Sequence, residues 1–249
     1  MSALGATPST GAGQLSLAQR AAGTIRHPLS RTLLVLTFTT GLVDAVSYLG
    51  IGHVFTANMT GNIVFLGFGI AGSGGLPVVA PLVSLAAFLL GAGGGGVLAS
   101  RLAQHHARHM SRALLIEVLL LSLAAIVAAA VEVRANAVSG DVVIALLAFA
   151  MGIRNATIRR VAVPDLTTTV LTMTLTGLAA DSQLFGGSGK ASVRRASAVL
   201  AMLLGALAGA LLLKTSLSLP LAVAAALAFV AFLGYPPAAR REEAVGARE

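Results

Sequence analysis

Asp44 stands inside an unbroken apolar run, as the thirteenth of the twenty residues from Thr32 to Ile51. On a helix rising about 1.5 Å per residue, that is near the middle of the run. If the run crosses a bilayer, an ionised carboxylate there must be paired, hydrated or protonated. The chemistry open to it is that of a coupling-ion ligand or a proton carrier. The alternative is a buried carboxyl hydrogen-bonded to neighbouring helices. A second group follows in Thr56-Ala57-Asn58-Met59-Thr60-Gly61-Asn62, where Asn58, Thr60 and Asn62 bring amides and a hydroxyl to a place where a chain turns and restarts a helix. A third lies in Met151-Gly152-Ile153-Arg154-Asn155-Ala156, followed by Asp165, Thr167, Thr169 and Thr172. A Thr or Asn of the second group, and Asp165 in the third, are expected as N-caps. N–H groups at the start of two such half-helices would form a site for an anion or polar solute. The alternative is that these groups only cap and pack.

The elements that must position these residues follow from composition. Of 249 residues, 56% are hydrophobic and 10% charged, and 28 are glycine. The mean hydropathy is +0.89. A soluble domain carries about 25% charged residues, so a soluble enzyme or nucleic-acid-binding domain is excluded in favour of an integral membrane protein. The chain has no cysteine, which removes disulfides and thiolate chemistry. Six runs suit about 30 Å of hydrocarbon: 32–51, 77–100, 113–133, 142–158, 196–214 and 219–235. Two further stretches, 54–72 and 166–185, are long enough but unusually polar.

Charge sorts these eight. With all of them crossing and the N-terminus inside, Lys and Arg divide 10 inside to 7 outside; with the two polar stretches entering and leaving on one side, they divide 15 to 2. The positive-inside rule selects the second arrangement. The expected fold is an all-α polytopic membrane protein with six transmembrane helices, two re-entrant or half-membrane segments and both termini cytoplasmic. Residues 1–31 are expected as a disordered tail, 32–235 as one transmembrane domain, and 236–249 as a short frayed tail.

The blocks also repeat. Gly41-Leu-Val-Asp44-Ala45 faces Gly152-Ile-Arg-Asn155-Ala156 at an offset of 111, and Gly91-x-x-x-Gly95 faces Gly205-x-x-x-Gly209 at 114. Two halves, about 32–133 and 142–235, each read as span, polar half-segment, span, span. Three spans is an odd number, so the second half is inverted, a pattern that points to a transporter-like site near the midplane. The glycine pairs are read as helix-packing positions. Arg154 is expected either to anchor topology or to pair with Asp181 or Asp44. Glu117, five residues into its span, is expected to snorkel or pair with Arg112 and is given no role.

Catalytic motifs do not survive inspection. His105-His106-x-x-His109 reads as a solvated loop. Gly186-Gly-Ser-Gly189-Lys190 lacks the first glycine and the hydroxyl of a phosphate loop, with Leu184 and Ala191 in their places. No cofactor or metal is expected. The expected partners are the bilayer and a small anionic or polar solute, with room for a homo-oligomer and none for nucleic acid.

The blocks from Gly41 to Leu49, Val54 to Asn62, Met151 to Ala156 and Leu166 to Thr172 resemble the YoaK-like family of bacterial inner-membrane proteins, over about residues 31 to 235. That resemblance implies a polytopic inner-membrane protein built around a domain of unknown function, and it names no substrate. Two functions remain open: a small-solute transporter or channel, and a non-transporting scaffold or complex subunit.

Overall fold

A computed structural model describes residues 28–102, 106–161, 171–182, 186 and 192–246. The described residues form helices and connecting turns, with no strand. In chain order the helices are α1 (Pro28–Val46), which continues as a π-helical turn (Ser47–Gly52), α2 (Met59–Ile70), α3 (Val79–Arg101), α4 (His106–Ala130), α5 (Val138–Val161), α6 (Leu171–Ala180), α7 (Ser192–Leu213) and α8 (Ser218–Gly246). Six of them hold stretches long and apolar enough to cross a membrane: 30–52, 79–101, 108–130, 138–160, 192–213 and 218–235. The twelve residues of α2 extend only about 18 Å, well short of a bilayer core, and the ten described residues of α6 extend about 15 Å.

The six long helices are not equivalent in burial. The apolar windows of α1 and α5 are 67% and 61% buried, against 28% for α3 and 17% for α7. α1 and α5 are therefore central. Their core residues Leu42, Val46, Ile144, Leu147 and Met151 pack with Leu121 of α4 and Leu221 and Ala224 of α8. The outer helices present Leu89 and Leu90 of α3 and Leu200, Leu203 and Leu207 of α7 outward, as a lipid-facing surface requires.

Glycine sets how closely these helices approach. On α1, a Cβ added at Gly41 would strike the Met202 carbonyl and lie 2.8 Å from Ala206 N of α7. On α7, one at Gly205 would strike the Phe38 carbonyl, and one at Gly209 would lie 2.7 Å from Leu42 O and 2.9 Å from Ala45 Cβ. The crossing of α5 with α3 has the same pattern. Gly152 meets Phe88 O and Ala92 N, Gly91 meets Phe149 O, and Gly95 meets Ile153 O at 3.1 Å and Ala156 Cβ at 2.9 Å. Every α1 position maps onto α5 at an offset of 111, and every α3 position onto α7 at 114. Across these eight pairs, six carry the same residue. α1 thus crosses α7, and α5 crosses α3, through matching glycine approaches. The remaining contacts follow the same exchange: α8 lies on α1 as α4 lies on α5, α2 on α3 as α6 on α7, and α4 packs on α8.

Two expectations are corrected here. α4 begins at His106, seven residues before the expected Ala113, so the histidine cluster is not wholly a solvated loop; His105 itself lies outside the described residues. His109 is 4% exposed within the helix. Arg108 and Arg112 interrupt the hydropathy, but Met110 and Leu114 between and beyond them join Leu33, Leu36 and Ile158 in a second apolar cluster. At the other end α8 runs on to Gly246 where a frayed tail from 236 is expected. Its segment Ala238-Ala-Arg-Arg-Glu-Glu-Ala244 consists of strong helix formers.

Candidate functional site

Past the π-helical turn, His53 adopts a left-handed conformation (φ 53°) and its N–H closes onto Tyr48 O at 3.1 Å. The chain then doubles back as 54–57 before α2 starts. Such irregular backbone is tolerated at membrane depth only where its polar groups are satisfied, and three consecutive N–H groups here are satisfied by side chains. Phe55 N–H donates to Asn62 Oδ1 at 2.8 Å. Thr56 N–H and Ala57 N–H both donate to Asp44 Oδ1 at 2.9 Å, and the Thr56 hydroxyl lies 3.4 Å from the same oxygen. Asn62 Nδ2 returns a bond to Phe55 O at 2.7 Å and donates to Ser84 Oγ of α3 at 3.1 Å. Ser84 in turn donates to Phe55 O at 2.7 Å. Tyr48, Phe55 and Phe65 stack around this turn.

Asp44 is 5% exposed and Asn62 and Thr56 are fully buried. The second carboxylate oxygen, Asp44 Oδ2, is buried and has no hydrogen-bond partner among the described residues. Asn58 caps α2 through a 3.4 Å bond from Gly61 N–H. Of the N–H groups expected to offer an anion site at this half-helix, that of Gly61 is engaged by Asn58, while Asp44 takes the N–H groups of Thr56 and Ala57 just before the helix.

One turn before Asp44 on α1, a second polar centre begins. Arg154 of α5 is 2% exposed, and all five of its N–H donors are used. Nε bonds Glu117 Oε2 at 2.9 Å, Nη1 bonds Leu36 O at 2.8 Å and Thr40 Oγ1 at 2.7 Å, and Nη2 bonds Thr39 Oγ1 at 2.9 Å and Glu117 Oε1. The fork geometry of a guanidinium against a carboxylate gives both strength and fixed orientation. Thr39 and Thr40 also donate back to Leu36 O at 2.8 and 2.9 Å. Arg154 therefore ties α5 to α1 and α4 together.

Against expectation, then, Arg154 pairs with neither Asp44 nor Asp181, and Glu117 pairs with Arg154 rather than Arg112. Asp181 instead pairs with Arg195 at 2.7 Å. Hydropathy puts Glu117 near the end of its span because α4 starts earlier than the apolar run does. As the twelfth of the 25 residues of α4, it sits mid-helix, not at an interface. The signal was present: Glu117 is an acid inside one span and Arg154 a base inside another, and charges at such depth commonly pair with one another. Thr39, Thr40 and Ser84 carried no comparable signal.

The other expected residues lie apart. Asn58, Thr60 and Thr172 are exposed. Asn155, the counterpart of Asp44, is half-buried and its Nδ2 donates to Met151 O at 2.8 Å. Asp165, Thr167 and Thr169 lie outside the described residues. The structure thus joins Asp44 with Asn62 around residues 55–57, and Arg154 with Glu117, with α1 between the two centres. A separate groove between α4 and α8, about 450 Å³ and lined by Val118, Ser122, Ile126, Ala225 and Phe229, touches neither.

Residues 32–234 match the family described as "Protein of unknown function (DUF1275)". The chain is also similar to the UPF0700 transmembrane protein YoaK of Bacillus subtilis (strain 168), with 34% identity over 155 residues. That match covers 60% of this chain and 65% of the relative, just under two thirds of its length. No solved structure matches the chain. Since the family match takes in both polar centres and all six long apolar stretches almost entire, the chain belongs to the DUF1275 family of membrane proteins.

Proposed function

We propose that this protein is a small-solute transporter of the cytoplasmic membrane, formed by two inverted halves that alternately open a polar site between α1 and the turn before α2. The observation that carries this reading is the exchanged crossing: α1 on α7 and α5 on α3 make the same glycine-to-carbonyl approaches at fixed sequence offsets. α2, too short to span, follows α1, and α6, short in its described residues, follows α5. Inverted repeats with interrupted segments at matching positions are the architecture of secondary transporters. In this scheme α2 and α6 are half-membrane elements entering from opposite faces, and both termini are cytoplasmic, as the 15-to-2 charge division favours. Reporter fusions test that orientation: a fusion after Gly75 should report outside and one after Ser100 inside, and the opposite pattern would sink it.

The halves are alike in shape and unlike in charge. Asp44 is answered by Asn155, and Arg154 by Val43. A titratable group therefore serves one half only, and Asp44 is the candidate for coupling. Its solute is a small polar or anionic molecule, with no catalytic role for any residue.

Reconstituted vesicles test the function. Under an imposed pH gradient the protein should accumulate at least one member of a polar-metabolite panel. Asp44→Asn should lose that accumulation while retaining solute exchange down a gradient. A second reading, a non-transporting scaffold, is favoured by the complete engagement of Arg154 and Asn62 within the protein. It predicts no uptake of any panel member and the same result for both chains.

A further inference from the structure

We propose that Asp44 Oδ2 is a proton-binding site in the membrane interior, so that the coupling ion of the transporter is the proton. The second half of this statement rests on the function proposed above; the first does not. Charge balance is the starting point. The groups carrying full charge at this depth, among the described residues, are Asp44 on α1, Glu117 on α4 and Arg154 on α5. Glu117 and Arg154 pair directly through two contacts. Arg154 also attracts Asp44 through space, but one cation against two carboxylates leaves a net single negative charge, and it is Asp44 that has no direct ion pair. No other element brings a counter-ion to it. Arg194 and Arg195 stand in the first turn of α7 and Lys214 lies past its end. α8 has no charged residue from Ser218 to Tyr235, α2 has none, and α3 has only Arg101 at its last position. Asp141 is in the first turn of α5, and Arg159 and Arg160 are in its last. His53, the nearest imidazole along the chain, is exposed and set edge-on against Tyr48.

The ligand set then decides which cation fits. A hard metal ion takes six or more oxygen ligands. Around Asp44 the neighbours are donors: two backbone N–H groups and the Thr56 hydroxyl, all on Oδ1. One oxygen, Oδ2, remains without a partner. A proton needs one oxygen; a metal ion needs several. The step is a simple transfer: hydronium on one side loses a proton to Oδ2, its O–H bond breaking to leave water as the carboxyl O–H forms. The neutral acid later gives that proton to water on the other side, regenerating the carboxylate and hydronium. The Thr56 and Ala57 N–H groups hold the carboxyl in place in both states.

Infrared difference spectra of the reconstituted protein across a pH series give the test, because they read the carboxyl directly and need no substrate. The expected result is a protonated-carboxyl absorption that shifts when the protein is grown with isotopically labelled aspartate and disappears in Asp44→Asn. Absence of any label-sensitive acid band, or its persistence in folded Asp44→Asn, overturns the proposal. Should Asp44→Asn fail to fold, the combined Asp141→Asn, Asp165→Asn, Asp181→Asn variant decides: the band must remain, and its loss overturns the assignment. A band without solute uptake in any panel assay would leave the proton site standing and remove the transporter.

Discussion

Arg154→Ala is expected to lower the melting temperature of the detergent-solubilised protein by roughly 6–20 °C. Breaking a buried ion pair from one side costs about 3–5 kcal/mol, and each kcal/mol moves the midpoint of a chain this size by about 2–4 °C. The physical reason is what the substitution leaves behind. Glu117 would keep a buried charge with no cation, and the Thr39 and Thr40 hydroxyls and Leu36 O would lose the donor that joins them to α5. Replacing both partners, as Arg154→Met with Glu117→Leu, should recover much of the loss, because an apolar pair of similar volume removes the stranded charge as well. A melting temperature for Arg154→Ala within a degree of the parent would return this arginine to the role of a topology anchor.

The second large effect concerns the helix crossings. Gly41→Ala and Gly152→Ala should each destabilise the protein, by a similar amount of about 1–3 kcal/mol. The added methyl in each case would overlap a backbone carbonyl, Met202 O or Phe88 O. A carbonyl cannot rotate away as a side-chain tip does, so the helices must move apart. Gly93→Ala on the same α3 helix is the control, since nothing lies within 4 Å of its added Cβ. Alanine's better helix propensity should make that change neutral or slightly stabilising. Thermal melts of the three variants check this. Equal tolerance of all three would contradict the close crossings, and a large cost at only one of Gly41 and Gly152 would contradict their equivalence.

How much of this was legible in the sequence depends on the range of the interaction involved. The six spans were legible because lipid demands apolar side chains over a fixed length, and the glycine pairs because close helix approach admits almost nothing else. Asp44 stood out for its apolar surroundings, and Asn62 for its place at a polar turn. What each binds was not legible: Asp44 reaches backbone N–H groups 12 and 13 residues on, and a backbone donor has no signature in residue type. Arg154 and Glu117 are 37 residues apart, and finding them required knowing that α4 starts at His106. Thr39 and Thr40 escaped notice because a threonine in a helix ordinarily bonds back one turn, as Thr37 does to Leu33 O at 2.8 Å. Sequence cannot show that two such hydroxyls also receive an arginine.

Alternating access requires that the buried turn beside Asp44 become reachable from both sides of the membrane in turn. The chain contains no cysteine, so a single Ala57→Cys reports on that point without competing thiols. Ala57 is 4% exposed and contributes only its N–H to Asp44, so the substitution leaves the site's polar groups in place. In oriented membranes, a membrane-impermeant maleimide should modify the introduced thiol when applied to either face in separate experiments, and reversing the pH gradient should shift the balance between faces. A thiol that neither face can reach under any gradient, in a protein that remains folded, would contradict alternating access and leave the two halves as a closed scaffold.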